Sequence, residues 1–147
     1  MALELRAPGA ADRAAWEHLW QGYQRFYEVE IPARVTDLTW ARLLGSAEPM
    51  HAMLAWQGAR AVGMVHWIFH RSTWTEGPYC YLQDLFAEPD VRGVGVGRAL
   101  IAHVRAEAEK AGASRLYWLT HETNTDAMKL YDKVAERSGF VQYRVVL

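Results

Sequence analysis

Between Val91 and Leu100 the chain reads VRGVGVGRAL, with three glycines in five residues and an arginine on each side. A strand-like apolar run precedes this loop and a helix-like run follows it. A glycine-rich turn at a helix start exposes backbone N–H groups. The helix dipole adds partial positive charge there, so the loop suits a phosphate. A P-loop ends on Gly-Lys-Ser/Thr, whereas this loop ends on Gly97-Arg98-Ala99. A G-x-G-x-x-G dinucleotide loop counted from Gly93 needs a glycine where Arg98 stands. Glu122 could imitate its ribose-binding acid, but three strands and two helices stand before the strand that leads into the loop, where such a unit expects its first strand. A tight turn with no ligand is the remaining alternative, at an entropic cost for three glycines. Further on, NTDAMKLYDKV places Asn124, Ala127 and Tyr131 at i, i+3 and i+7. That spacing is one face of one helix. In YLQDLFA, Gln83 and Asp84 are neighbours in a strand-like run. They take opposite faces unless a bulge intervenes.

The elements that must position these residues follow from periodicity and breakers. Leu3 and Leu5 alternate with polar neighbours as a short strand, broken at Pro8-Gly9. Asp12 stands where it could cap a helix, and Trp16, Leu19, Trp20, Tyr23, Phe26 and Tyr27 follow at helical spacing. A second helix starts at Thr36 or Asp37 and stops at Gly45. Met50–Trp56, Arg60–His70 and Tyr79–Ala87 read as consecutive strands. Leu100 to Ala111 marks a helix, Leu116–Thr120 a strand, Asn124–Val134 a helix and Phe140–Leu147 a last strand. The order is β-α-α-β-β-β-α-β-α-β. Consecutive hairpin strands are antiparallel, and the strand–glycine loop–helix–strand unit requires a parallel pair. The reading is a mixed α/β (α+β) sheet with helices on both faces.

The chain of 147 residues suits one domain over 1–147, and 51% apolar residues allow a full core. Seven Trp and seven Tyr are many for this length, and some should line a pocket. A net charge of -1 gives no electrostatic footprint for nucleic acid or an anionic membrane. The one cysteine, Cys80, excludes an internal disulfide and points to a reducing cytoplasm. It lies in an apolar run, where thiols are usually inert. No stretch approaches the ~20 apolar residues of a membrane span.

The run Arg92-Gly93-Val94-Gly95-Val96-Gly97 resembles the R-x-x-G-x-G pyrophosphate loop of the GNAT N-acetyltransferases. Asn124, Ala127 and Tyr131 resemble that family's Asn-x-x-Ala-x-x-x-Tyr helix. From Tyr79 to Tyr131, with the upstream Ser72-Thr73-Trp74, the chain is similar to the branch of diamine (spermidine/spermine) and yeast histone/polyamine acetyltransferases. The resemblance implies acetyl-CoA as cofactor and no metal. It implies that the backbone of Leu85, Phe86 and Ala87 pairs with the pantetheine as an added strand, where the fourth strand splays from the fifth. It puts Gly93 to Arg98 on the pyrophosphate, with Arg92 opening the motif. Asn124, on a face with Ala127, lies near the pantetheine arm. Relatives of this branch are commonly dimers, which implies a homodimer built through RSGFVQYRVVL.

The implied reaction is attack of an amine on a thioester. An alkyl amine with a pKa of about 10.4 must lose a proton first. A departing thiolate, with a thiol pKa of about 8.5, can take a proton from a tyrosine near 10. The resemblance assigns that acid role to Tyr131, and core packing is the alternative. A glutamate of the diamine enzymes is replaced here by Gln83, which cannot take a proton. Asp84, Glu122, His121 and a chain of waters remain as base candidates. Tyr27, Glu28 and Glu30, with Trp40 and Trp74, would suit a cationic acceptor; a solvated charge run beside core aromatics is the other reading. The expectation is acetyl transfer to a small primary amine of polyamine, amino-acid or lysine type, with Tyr27, Glu28, Gln83 and Asp84 around the acceptor. A CoA-binding regulatory module without turnover, or a protein N-acetyltransferase, stands beside it.

Overall fold

The computed structural model describes residues 2–91 and 93–147. Its sheet contains β1 (Leu3–Arg6), β2 (Met50–Gln57), β3 (Arg60–His70), β4 (Tyr79–Ala87) and β5 (Arg115–Tyr117), in that spatial order. The first three pairings are antiparallel and β4 with β5 is parallel. The helices are α1 (Arg13–Phe26), α2 (Ala33–Leu44), α3 (Val96–Lys110) and α4 (Thr125–Val134).

Two apolar clusters hold the layers together. On one face, Trp16, Leu19 and Trp20 of α1 and Trp40 of α2 pack on Leu54, Met64 and Phe86 of the sheet. On the other, Leu100, Ile101 and Val104 of α3 pack on Val65, Trp67 and Leu82, and α4 adds Leu130, Tyr131 and Val134 at the margin. Burying each such side chain contributes roughly 1.5–3 kcal/mol. Gly63 lets α3 approach: a Cβ there would meet Val96 Cγ1 and lie 3.2 Å from Leu100 Cδ1. Gly22 does the same for α1, where a Cβ would come 2.8 Å from the Phe86 ring.

Several sequence expectations are corrected. Phe140–Leu147 forms no strand and is exposed. The open edge at β5 is short, since that strand ends at Tyr117 rather than Thr120, and offers a further strand little to pair with. The α2 helix starts at Ala33, because the Pro32 carbonyl accepts the N–H groups of Val35 and Thr36. Asp12 occupies the position before α1, but its carboxylate accepts the Gly9 N–H at 2.8 Å and closes the preceding turn.

Candidate active site

The glycine loop leads from a short turn at Pro89–Val91 into α3. Gly93 and Gly95 have φ of 92° and 86°, the left-handed region that glycine enters without Cβ strain. Among the described residues nothing lies within 4 Å of a Cβ built on either, so the loop faces open space. Gly95 caps α3 with no side-chain bond, and the Ala99 N–H is the one that binds the Gly95 carbonyl at 2.9 Å. The N–H groups of Val96, Gly97 and Arg98 come before it and are left at the helix end. Leu130 Cδ2 lies 3.4 Å from a Cβ built on Gly97, so that glycine brings α3 and α4 together.

A cleft of about 640 Å³ runs along this loop. It is lined by Gly93, Gly95, Val96, Gly97 and Arg98, by Leu85, Phe86 and Ala87 of β4, by Asn124, Ala127 and Tyr131 at and along α4, and by Tyr27. β4 keeps β5 as a partner only through Tyr81, then continues to Ala87 paired with β3 alone. Its other edge from Leu82 onward therefore faces the cleft side without a strand. Arg98, Lys129 and Lys133 supply positive charge along the walls. An open donor-rich helix start, a free strand edge and basic walls fit a phosphorylated, amide-bearing cofactor such as CoA.

Tyr131 is half-buried against Trp118, with ring centroids 5.4 Å apart. Burial, with a smaller contribution from nearby Tyr27, pushes its phenol up to about 12. It therefore holds its proton at neutral pH.

Beside this cleft, β4 carries a bulge. Leu82 pairs with Trp67 and Asp84 with His66, so Gln83 is the extra residue. Leu82 packs on the α3 side, as do Leu85 and Ala87, while Phe86 packs on the α1 side. The bulge shifts the alternation by one and lets Gln83 and Asp84 line the same cavity, of about 370 Å³. Asp84 is 7% exposed and His66 4%. His66 Nδ1 lies 2.9 Å from Asp84 Oδ2, and the Trp16 Nε1–H donates to His66 Nε2 at 2.9 Å. An indole N–H is only a donor, so Nε2 accepts and the single ring proton sits on Nδ1, donated to Asp84. The Tyr23 hydroxyl lies against the same carboxylate; burial, then that charge, raises its pKa. Burial and the Asp84 charge also raise Tyr27 and Tyr81.

Other sequence candidates fall elsewhere. Arg92 lies outside the described residues. Val94 is exposed and does not line the cleft. Glu28 takes a left-handed φ of 55° as α1 ends, where its N–H reaches the Arg25 carbonyl and Val29 reaches Gln24. Its side chain and that of Glu30 are exposed and line neither cavity. Trp40 is core, 5.0 Å from Trp16, and Trp74 is exposed under Arg115. His121 is exposed, and its Nδ1 is used by Thr123; Glu122 is exposed too. Sequence reasoning missed His66, Trp16, Tyr23 and Gln24. Gln24 is buried and its Oε1 accepts the Ile31 N–H at 2.8 Å, fixing the loop between α1 and α2. The signal for His66 was a histidine on the α1-facing side of an otherwise apolar strand.

The pattern of the acetyltransferase (GNAT) family matches residues 14–135. The D-amino-acid N-acetyltransferase HPA3 of Saccharomyces cerevisiae is 33% identical over 135 residues, 90% of this chain and 84% of that protein. The thialysine N-epsilon-acetyltransferase of Caenorhabditis elegans is 33% identical over 85 residues, 58% of this chain and 52% of that protein. In fold, the chain matches the AAC(6')-Iy structure in complex with a CoA bisubstrate analogue, with a TM-score of 0.80 at 18% identity, covering 99% of this chain and 100% of that one. It also matches the ribosomal-protein-alanine N-acetyltransferase of Brucella melitensis biovar Abortus 2308, with a TM-score of 0.79 at 22% identity, covering 99% and 100%. With most of its length matched by the family pattern and by a relative one third identical, the chain belongs to the acetyltransferase (GNAT) family and is an N-acetyltransferase.

Proposed function

We propose that the protein transfers the acetyl group of acetyl-CoA to the primary amine of a small molecule, by direct attack in a ternary complex. The observation that carries this reading is the single cleft uniting the glycine loop, the free edge of β4 and the Asn124–Ala127–Tyr131 face. Bound acetyl-CoA supplies the acetyl thioester. The N–H groups at the start of α3, with Arg98, would hold its phosphates, and the β4 backbone from Leu85 to Ala87 would pair with its amide arm. Asn124 would bond the same arm. Tyr131 keeps its proton at neutral pH and would deliver it to the departing sulfur. Asp84, at the second cavity, would bind the incoming ammonium and accept the proton that must leave before nitrogen attacks. The new C–N bond then replaces the C–S bond: nitrogen loses a second proton after attack, which restores the one Tyr131 gives to sulfur, and the proton taken by Asp84 passes to solvent. The names of the relatives, a D-amino-acid and a thialysine acetyltransferase, favour an amine of low mass. Thiol release from acetyl-CoA in the presence of polyamines, amino acids and lysine peptides tests the reading. Release with a small amine is expected; release only with peptides would point to a protein acceptor.

A further inference from the structure

We propose that the acceptor is a singly charged primary amine on an apolar body, with its ammonium on Asp84 and its body in the cavity under α2. This deepens, and rests on, the acetyl-transfer reading. The argument starts from the charge of Asp84. The carboxylate is buried, and His66 is its ion-pair partner by distance. Yet the Trp16 N–H occupies the other ring nitrogen, so His66 reaches Asp84 as a neutral donor. The neighbouring Tyr23 hydroxyl is neutral as well. Among the described residues no Lys or Arg lines this cavity. A buried charge without a counter-ion is costly, and a ligand that brings the cation relieves the cost.

The rest of the wall decides the body. Ile31, Val35, Leu43, Met50 and Ile68 are apolar, and Thr39 and Gln83 are polar but carry no charge. A second ammonium would find no second carboxylate, because Glu28 and Glu30 are outside the lining. A free carboxylate would find no cation. The Trp20 Nε1–H, buried without an acceptor, could serve a neutral oxygen but would not balance a charge. The volume of about 370 Å³ falls in the range of small-ligand sites. The cavity also adjoins the cofactor cleft. Tyr23 lines one and Tyr27 the other, with ring centroids 4.8 Å apart. Asp84 and Phe86 are two residues apart on one face of β4, about 7 Å along the strand. An amine on Asp84 therefore sits next to the cleft that Tyr131 walls.

A matched set of amines tests this: phenethylamine, putrescine, D-phenylalanine and L-phenylalanine. Each is measured for acetyl-CoA-dependent thiol release and for calorimetric binding to the CoA-loaded protein. Phenethylamine is expected to exceed the other three in kcat/KM by about tenfold or more, because each of them carries a second charge into an apolar wall. Asp84→Asn should weaken phenethylamine binding by about 30-fold or more and leave CoA titration unchanged. Equal or better use of putrescine or either phenylalanine overturns the acceptor class and leaves acetyl transfer standing. Phenethylamine binding that depends on Asp84, without thiol release from any amine, upholds the cavity assignment and overturns acetyl transfer. Absence of both overturns both. If Asp84→Asn does not fold, the comparison on the parent protein decides alone.

Discussion

Tyr131 and Asp84 illustrate how one residue type acquires a role from its surroundings. A phenol raised to about 12 is a weaker acid than a thiol at about 8.5, but it is fully protonated at neutral pH and so has a proton to give. Tyr131→Phe keeps the ring on Trp118 and removes only the proton. Turnover should fall by roughly 10²–10⁴ while CoA affinity holds, since the hydroxyl acts in the transition state. Turnover and CoA titration on one preparation check this; unchanged turnover would make Tyr131 a packing residue, and lost affinity with intact turnover a cofactor ligand. Asp84 was visible in the sequence as a carboxylate next to a glutamine. Its environment was not, because His66 and Trp16 lie 18 and 68 positions away and meet it only through strand pairing and helix docking.

Among the elements, the glycine loop and the start of α3 act as one unit. Gly95 at φ 86° combines a left-handed backbone with an open Cβ direction. Valine there would strain the loop by about 1–3 kcal/mol and place a branched side chain in the space from which a phosphate must approach. Gly95→Val is therefore expected to weaken CoA binding at least tenfold, an order-of-magnitude expectation from that strain, with a modest loss of melting temperature. Equal CoA titration in the variant and the parent would move the phosphate site elsewhere. This unit was legible from sequence because its signals are local: glycines, flanking periodicity, and a helix face read by counting. The β4 bulge was foreseen only as a condition, since register depends on what the neighbouring strand offers.

For the whole molecule, pH and assembly give two expectations. Tyr131 is raised to about 12 and Tyr23 is raised too, both chiefly by burial. In the unfolded chain phenols lose their protons from about pH 10. Between those values the unfolded state binds fewer protons than the folded one, so stability is full below pH 10 and falls as pH rises toward the folded pKa. The melting temperature of the parent should drop across this range, more steeply than that of Tyr131→Phe; parallel curves would sink the assignment. The second expectation concerns the C-terminal run. Val141, Tyr143 and Val145 alternate with Gln142 and Arg144 and are 77%, 94% and 84% exposed. An apolar strand pattern left unpaired within the chain can add to a sheet edge of another copy. A homodimer formed through residues 137–147 is expected, and sedimentation that shows a monomer over a wide concentration range would rule it out.

The sequence by itself determined what depends on neighbours in the chain: the extents of β3 and β4, the order of helices and strands through α4, the phosphate-suited loop and the Asn124–Ala127–Tyr131 face. Periodicity and breakers act over a few residues, and they carry that information directly. The tertiary structure decided what depends on distant residues. It placed Trp40 in the core and Trp74 in solvent, left Glu28 and Glu30 outside both cavities, and built the chain from Trp16 through His66 to Asp84. Burial and charge pairing are properties of the packed interior, where a shift of one position at Gln83 turns Asp84 toward α1 and gives the second cavity its single carboxylate.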